Sequence, residues 1–359
     1  MAALTLHVEG NKVLNEKGER VRLTGVNACG LEWDSKHGHM LDTVYEVFAN
    51  WNCNIVRIPL SQDRWFGKAP EQTEDDAVDQ YRKVVDDIVK LASDFGKYID
   101  LDLHWNNMGE WGQNIGQHYM PDNYSLDFWL DIAKKYANNP SVLFDIYNEP
   151  HDITWELWRD GGTVVETIKK RDRQGKFTGE EKTYTYTAPG YQKLIEEIRA
   201  VGANNIIFAG GLDWAYDLRG IAKNKTTGEC YALKDTSAGN GIIYDSHIYP
   251  IKEWDGINHD EKVCCIADDY PVMIGEIGIG AGEGEYGAIK RPTWLSDMLD
   301  WIDKNNFHWM GWCLHPQAGP QMITDWSYTP TKYHGAVLKE RFLSYPDTNA
   351  HLDKLPVKP

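Results

Sequence analysis

Stretches with strand-like and helix-like patterns alternate along most of this chain. The helical pattern is clearest in Val78–Phe95, where apolar residues recur at the spacing of one helix face. Leu126–Tyr136, Tyr191–Val201 and Trp294–Asn305 repeat that spacing, and the segment after the fifth strand has the weakest helical pattern. The predicted strands are eight short runs of β-branched or aromatic residues: Val21–Asn27, Ile55–Pro59, Tyr98–Leu103, Val142–Ile146, Ile206–Ala209, Ile242–Ser246, Val272–Ile274 and Trp309–Cys313.

Eight strands that alternate with helices predict an α/β protein with a closed (β/α)8 barrel, the TIM-barrel fold. An open, doubly wound sheet is the alternative architecture. The predicted loops that follow strands are long, as in residues 105–124 and 151–189, whereas the loop before the fifth strand, residues 202–205, is short. This asymmetry favours the barrel, with a functional site at the C-terminal ends of its strands.

The two ends of the chain differ from this repeating pattern. A short β-hairpin is predicted at the start, from Leu4–Val8 and Lys12–Leu14 on either side of Gly10-Asn11. Residues 1–343 are expected to form a single barrel domain. Residues 344–359 contain three prolines and are predicted to be a C-terminal tail or the start of a linker.

Composition and charge exclude several classes of protein. A hydrophobic content of 42% and a charged content of 25% are typical of a globular chain, and no apolar run approaches the roughly 18 residues of a membrane span. The formal net charge of -17 disfavours binding to nucleic acid or to an anionic membrane surface. The six cysteines lack zinc-site spacing. Their even number permits disulfides, although a chain of this length does not need them.

Two predicted strands end in a single glutamate. Glu149 follows the fourth strand within Asn148-Glu149-Pro150, and Glu276 follows the seventh strand directly after Gly275. Taken alone, the first could be an ordinary turn and the second a surface charge. The ends of strands four and seven face each other across a barrel mouth, which would place the two carboxyl groups about 5 Å apart.

That separation is the one used in retaining glycoside hydrolysis. One carboxyl protonates the leaving oxygen while the other attacks the sugar carbon. The proton donor must be neutral near the working pH, so we expect burial or a neighbouring carboxylate to raise the pKa of whichever glutamate donates the proton.

Motifs at seven strand ends carry a more specific signal. They are LTGVNACGLEW and VRIPLSQDRW after strands one and two, then LDLHW, FDIYNEPHD, DSHIYP, MIGEIG and GWCLHP at the ends of strands three, four, six, seven and eight. In this order they resemble family 5 of the glycoside hydrolases, the large cellulase family, over roughly residues 5–343. NEPHD and the later ITDW are most similar to the endoglucanases of that family.

The resemblance implies a role for each matched residue. Glu149 would be the acid/base and Glu276 the nucleophile of a retaining endo-β-1,4-glucanase, while Asn148 would hydrogen-bond the sugar 2-hydroxyl. It also implies that Arg57 and Tyr249 keep Glu276 ionised and oriented, that His104 and His247 line the subsite of the cleaved bond, and that Trp312 is its stacking floor. Trp33 and Trp105 are expected to bind substrate as well, because they follow strands at the active-site face. His104 could also be an ordinary core histidine.

The resemblance implies a monomeric, secreted enzyme acting on β-glucan without metal or cofactor, its signal peptide being absent from this sequence. After the eighth strand, Leu314 and His315 stand where family endoglucanases often have an aromatic residue and an asparagine. The preferred glycan therefore stays open among cellulose-like glucan, mannan, xylan, xyloglucan and mixed-linkage glucan. The alternatives of a different class are a non-catalytic glycan-binding barrel and a phosphate-binding metabolic barrel.

Tryptophan is unusually frequent, with 15 residues against 9 phenylalanines. Five tryptophans fall within predicted helices or a strand. The other ten follow or end strands at the expected active-site face: Trp33, Trp65, Trp105, Trp111, Trp155, Trp158, Trp214, Trp254, Trp312 and Trp326. This placement favours platforms for the apolar faces of sugar rings over a tryptophan-rich core.

Three other local patterns are given little weight. Residues 282–287 match G-x-G-x-x-G but contain two carboxylates, so an acidic loop is favoured over a phosphate site. Residues 37–39, His-Gly-His, are more consistent with a polar loop than with a metal site. Glu32 and Asp34 could bind sugar hydroxyls or could cap local structure.

Overall fold

The computed structural model describes residues 3–36, 38–171, 177–253, 258–279 and 293–359. Its strands are β1 (Leu6–Glu9), β2 (Lys12–Asn15), β3 (Thr24–Asn27), β4 (Ile55–Ser61), β5 (Tyr98–Trp105), β6 (Val142–Asp145), β7 (Gly162–Arg171), β8 (Phe177–Ala188), β9 (Ile207–Gly210), β10 (Ile242–Ile248), β11 (Val272–Ile277) and β12 (His308–Gly311). Its helices are α1 (Met40–Asn50), α2 (Gln62–Trp65), α3 (Ala77–Phe95), α4 (Asn123–Tyr136), α5 (Trp155–Asp160), α6 (Tyr191–Ala200), α7 (Leu212–Ala215), α8 (His259–Lys262), α9 (Trp294–Asn305) and α10 (Gly335–Leu343).

Eight parallel strands close into a barrel, which confirms the predicted TIM-barrel fold. Around the barrel the order is β3, β4, β5, β6, β9, β10, β11 and β12, and β12 pairs with β3 to close the ring. Each neighbouring pair is parallel, so the C-terminal ends of all eight strands meet at one rim. The predicted strands all form, with ends that shift by at most a few residues.

The barrel core divides into an outer and an inner apolar cluster. Helix α3 shows the outer one, because Tyr81, Val85 and Ile88 on one helix face are fully buried against the strands. The inner cluster fills the end of the barrel opposite the rim. The predicted N-terminal hairpin, β1 with β2, adds Leu6 and Val13 to this inner cluster and so covers the lower end of the barrel.

The region between β6 and β9 differs from the prediction of a long loop. It contains α5 and an antiparallel hairpin, β7 with β8, whose ten- and twelve-residue strands are mostly exposed. The hairpin does carry a small apolar face, because Val164, Tyr186 and Ala188 are buried in the core cluster. Threonine alternates with tyrosine over residues 183–187, a strand pattern that the prediction of a loop did not use.

A right-handed helix after the fifth barrel strand does not form. The short element α7 is instead a left-handed turn, with φ of +59° at Asp213, +60° at Trp214 and +58° at Ala215. Three successive non-glycine residues in this region are strained, and such strain persists only where surrounding contacts hold it.

The C-terminal segment after α10 lies against the barrel. Thr348 accepts a hydrogen bond from the buried ammonium of Lys97 at 2.9 Å, and Asn349 donates one to the Phe48 carbonyl at 2.8 Å. His351 lies 3.0 Å from the Phe95 carbonyl. None of the described helices is long and apolar enough to cross a membrane.

Candidate active site

Irregular pairing at the rim directs polar side chains inward. The register between β10 and β11 shifts after Asp245, and the shift brings His247 beside Glu276. A second shift separates Ile274 from Ile277 in the pairing of β11 with β12, so it flanks the same glutamate. Bulges of this kind re-aim side chains next to active sites.

Arg57 of β4 lies fully buried at the centre of this polar layer. Its Nε donates to Asp145 at 2.8 Å, and its Nη1 donates to Glu276 Oε1 at 2.9 Å. Its Nη2 donates to Asn148 Oδ1 at 2.9 Å and lies 3.1 Å from Asp102. Burial opposes the charge, but these surrounding carboxylates raise the pKa of Arg57 above its ordinary value. One guanidinium therefore fixes both the expected nucleophile and the expected 2-hydroxyl ligand.

Six of the ten predicted site residues line a single open cleft of about 640 Å³ at the rim: His104, Asn148, Glu149, Tyr249, Glu276 and Trp312. Arg57 and His247 lie fully buried beneath it. His104 stacks nearly parallel to Trp312, with ring centroids 5.3 Å apart, and its Nδ1 lies 2.6 Å from Asp102. Burial and the nearby Arg57 lower the His104 pKa to about 3, so the ring is neutral.

The two glutamates face each other inside the cleft. Oxygen atoms of Glu149 and Glu276 lie within 4.8 Å of one another. Tyr249 donates to Glu276 Oε2 at 2.7 Å, so both Glu276 oxygens are held, one by a hydroxyl and one by Arg57. His247 Nδ1 lies 2.9 Å from Glu149 Oε1 and 3.5 Å from Glu276 Oε2. The imidazole therefore contacts both carboxylates.

The predicted rise in the pKa of Glu149 is wrong for this structure. Burial does raise that pKa, but the hydrogen bond and the charge of His247 outweigh it and lower the value to about 2. Burial lowers the His247 pKa, yet the charges of Glu276 and Asp245 raise it to about 10. The proton expected on the Glu149 carboxyl thus resides on the His247 imidazole.

Gln117 is a residue of the site that the sequence did not indicate. Its Oε1 accepts a hydrogen bond from Asn148 Nδ2 at 2.7 Å, and its Nε2 donates to the Glu149 carbonyl at 2.9 Å. Arg57 donates to Asn148 Oδ1, so the oxygen and the nitrogen of the Asn148 side-chain amide are both held by hydrogen bonds. Asn148 Nδ2 keeps one hydrogen for a ligand in the cleft.

The loop that carries Gln117 is anchored to the β7–β8 hairpin. Glu166 of β7 accepts from the Tyr119 amide at 3.0 Å and pairs with His118 Nδ1 at 2.9 Å. Tyr186 of β8 donates to the same Glu166 at 3.3 Å. The inserted hairpin is therefore connected through one short loop to Asn148 and Glu149 at the end of β6.

Trp33 and Trp105 lie in a separate aromatic cluster. Their ring centroids are 6.4 Å apart, and Trp33 also packs edge-on against His315 at 5.7 Å. Neither ring lines the cleft that contains the two glutamates. In contrast Trp214, on the left-handed turn, does line that cleft and is 39% exposed, with its other face stacked on His151.

The prediction of rim platforms is wrong for Trp65 and Trp158, which are fully buried. Trp65 packs against Phe128, and Trp158 donates to the Gly210 carbonyl at 2.9 Å. Trp65 belongs to α2, which starts directly after β4, and Trp158 belongs to α5, which starts further along the loop after β6. Both side chains turn back into the core. Trp254 lies outside the described residues.

Glu32 caps local structure and does not contact the cleft. Its Oε2 accepts from the Gly30 amide at 2.6 Å, and only 1% of the residue is exposed. Burial raises its pKa to about 8. Asp34 likewise accepts from the Lys36 amide at 2.9 Å. The G-x-G-x-x-G motif of residues 282–287 and His37 lie outside the described residues.

Among the described residues, Glu149, His247 and Glu276 offer three ligand atoms within 4.8 Å and could hold a metal ion by distance alone. The same atoms already pair with each other in the protein. A metal-free site stays a prediction.

Comparison with known proteins gives a consistent family match. The family model described as Cellulase (glycosyl hydrolase family 5) matches residues 14–318. An endoglucanase of Paenibacillus polymyxa is 23% identical, with 89% of this chain and 83% of the relative aligned. Endoglucanase G of Acetivibrio thermocellus is also 23% identical, over 93% of this chain and 70% of the relative.

Solved structures show the same fold. The β-glucanase SdGluc5_26A of Saccharophagus degradans, crystallised with cellotetraose, superposes with a TM-score of 0.72 at 24% identity, covering 96% of this chain and 94% of that one. The catalytic domain of the Thermobifida fusca endoglucanase Cel5A gives a TM-score of 0.61 at 16% identity, covering 95% and 97%.

Proposed function

This chain belongs to the cellulase family, glycoside hydrolase family 5, and we propose that it is a retaining endo-β-1,4-glucanase. The main support for this proposal is the pair of glutamates, Glu149 and Glu276, whose oxygens lie within 4.8 Å of each other across one cleft. Retaining enzymes separate their carboxyl groups by about 5 Å, whereas inverting enzymes need more than about 6.5 Å to admit a water molecule. The distance supports the retaining mechanism.

In the first step Glu276 attacks the anomeric carbon, and the bond to the leaving oxygen breaks as that oxygen receives a proton from Glu149. Arg57 and Tyr249 hold one nucleophile oxygen each, so the carboxylate is oriented before substrate arrives. In the second step Glu149 takes a proton from water, which attacks the same carbon and releases Glu276. Asn148 would donate to the 2-hydroxyl in both steps.

The proton for the first step belongs to the Glu149–His247 pair. His247 Nδ1 is 2.9 Å from Glu149 Oε1, so the proton moves across one hydrogen bond before it reaches the leaving oxygen. Because the two groups interact strongly, they titrate together. Loss of the pair's single proton at high pH should therefore abolish proton donation.

A β-1,4-glucan substrate is supported by the relatives and by the cleft. The two relatives described above are endoglucanases, and the Saccharophagus degradans β-glucanase was crystallised with cellotetraose. Trp312 and Trp214, both in the cleft, provide flat surfaces on which pyranose rings stack. A net charge of -17 neither attracts nor repels a neutral polymer. We further propose a secreted monomer with residues 1–343 as one catalytic domain.

Rescue of truncated variants by azide tests the mechanism and both assignments. In Glu149→Ala, azide should enter the glycosyl-enzyme and give a β-glycosyl azide. In Glu276→Ala, azide should replace the nucleophile and give the α-glycosyl azide. Glu196→Ala, at an exposed position on α6, is the matched control and should keep parental turnover. Rescue with the opposite configurations, or parental activity in Glu276→Ala, would contradict the proposal.

The substrate is tested separately by release of reducing sugar from a polysaccharide panel. Carboxymethyl cellulose should be cut fastest, ahead of mixed-linkage glucan, xyloglucan, mannan and xylan. A faster rate on another polymer would leave the proposed mechanism unchanged and would identify that polymer as the preferred substrate. Binding to the panel without turnover would indicate a glycan-binding protein.

A further inference from the structure

Two cysteine sulfurs meet below the cleft floor. Cys29 follows β3 and Cys313 follows β12, which are the first and last strands of the barrel and pair with each other. Their Sγ atoms are 3.0 Å apart, and the two residues are 1% and 0% exposed. In the described chain the sulfurs of the other four cysteines contact oxygen atoms instead.

Backbone hydrogen bonds hold the two segments in this position. The Leu314 amide donates to the Asn27 carbonyl at 2.9 Å, which ties the chain after β12 to the end of β3. The Cys313 amide donates to Pro320 at 3.0 Å, and its carbonyl accepts from Met322 at 3.0 Å. Since a disulfide bond is about 2.05 Å long, the sulfurs need to approach by only about 1 Å.

We propose that Cys29 and Cys313 are joined by a disulfide that covalently closes the barrel seam. The oxidant is a disulfide compound or a thiol–disulfide oxidoreductase met during folding. A secreted chain folds where such oxidants are present. This proposal does not depend on the catalytic assignment of the glutamates.

The exchange balances as two successive displacements. The Cys29 thiolate attacks one sulfur of the oxidant, forming a mixed disulfide and releasing one thiol. The Cys313 thiolate then attacks the Cys29 sulfur, forming the Sγ–Sγ bond and releasing the second thiol. The oxidant gains two electrons, and the two protons lost by the cysteines end on the released thiols.

The crosslink would connect the cleft to the separate aromatic cluster that contains Trp33. Cys29 precedes Trp33 by four positions, and Cys313 directly follows Trp312 in the cleft. The two cysteines are 284 positions apart, so the bond would restrict most of the unfolded chain. Burial raises the pKa of both thiols, so few thiolates form after folding and the bond should be made while the chain folds.

The decisive experiment maps disulfides in the parent enzyme after export to an oxidising compartment. The protein is unfolded in iodoacetamide without reductant, digested and analysed by mass spectrometry. We expect one linked peptide pair that contains Cys29 and Cys313, lacks two hydrogens and separates on reduction. Alkylation of both cysteines, or linkage of either one to a different cysteine, would overturn the proposal.

Thermal unfolding gives a second test that compares variants. A phosphine reductant should lower the parental Tm by about 5 °C after refolding in its presence. Cys265→Ser, which removes a cysteine outside the pair, should show the same drop. Cys29→Ser and Cys313→Ser should show none. A drop that persists in both pair variants would contradict the crosslink, and mapping of the parent decides the question even if those variants fail to fold.

Discussion

Replacement of Gln117 by methionine should reduce catalysis by releasing the amide of Asn148. In the structure Gln117 accepts from Asn148 Nδ2 at 2.7 Å and donates to the Glu149 carbonyl at 2.9 Å. Methionine has a similar length and supplies neither bond. The contact from Arg57 to Asn148 Oδ1, at 2.9 Å, would remain and keep the side chain in place while its orientation loosens.

The expected size of the effect follows from the bonds that are lost. A hydrogen bond contributes about 1 kcal/mol net, and two bonds of this kind are removed. Only the bond to Asn148 acts on the 2-hydroxyl of the substrate. We expect kcat/KM to fall about tenfold, or ~1.4 kcal/mol, with about 1 kcal/mol of that loss depending on the 2-hydroxyl.

A cycle of four kcat/KM values separates this effect from a general disturbance of the loop. The parent and Gln117→Met are each assayed on an aryl β-cellobioside and on its analogue that lacks the 2-hydroxyl beside the aryl group. Removal of the 2-hydroxyl should lower kcat/KM by a larger factor in the parent than in Gln117→Met. Gln113→Met, an exposed position in the same loop, is the control and should match the parent. An equal fold loss for Gln117→Met on both substrates would refute the reasoning.

Three other substitutions test separate parts of the structure. His247→Asn removes the charge that lowers the Glu149 pKa to about 2, so burial alone would raise that pKa. The alkaline limb of the kcat/KM profile, set in the parent near the His247 pKa of about 10, should therefore move to lower pH. An alkaline limb that does not move would show that the Glu149–His247 pair does not supply the proton. Burial raises the Glu32 pKa from 4.5 to about 8, so the parent should lose about 1.4 kcal/mol of stability per pH unit as pH rises through this window. Glu32→Gln should remove this pH dependence of stability. If the Tm difference between Glu32→Gln and the parent stays constant between pH 5 and 8, Glu32 is not the group responsible. Trp312→Ala should raise KM on cello-oligosaccharides about tenfold with little change in Tm, because a stacking surface of ~1 kcal/mol or more is lost, and an unchanged KM would exclude it as the floor.

The barrel could be predicted because its strands are short apolar runs that alternate with amphipathic helices. The β7–β8 hairpin was missed because most of its residues are exposed and only a few, such as Val164 and Tyr186, reach the core. The left-handed turn at Asp213–Ala215 was equally hidden, because no glycine indicates its positive φ angles. Both features depend on contacts made after the chain has folded.

The candidate site was predictable where chemistry depends on residue type at a strand end, as for Glu149 and Glu276. Gln117 was missed because its role comes from a contact 31 positions away in sequence. The three buried aspartates around Arg57 did leave a signal, as carboxylates inside apolar runs: Asp100, Asp102 and Asp145. The pKa of Glu149 was misjudged because the sequence does not give the distance to His247.

The position of Arg57 has a consequence for engineering this enzyme. Its guanidinium touches side chains from four different strands, so the reacting groups form one indivisible unit that cannot be transplanted strand by strand. Trp214 lies outside that unit, on a turn beyond β9. Exchange of such peripheral turns between relatives should alter which glycan is accepted while the bond-breaking chemistry is inherited unchanged.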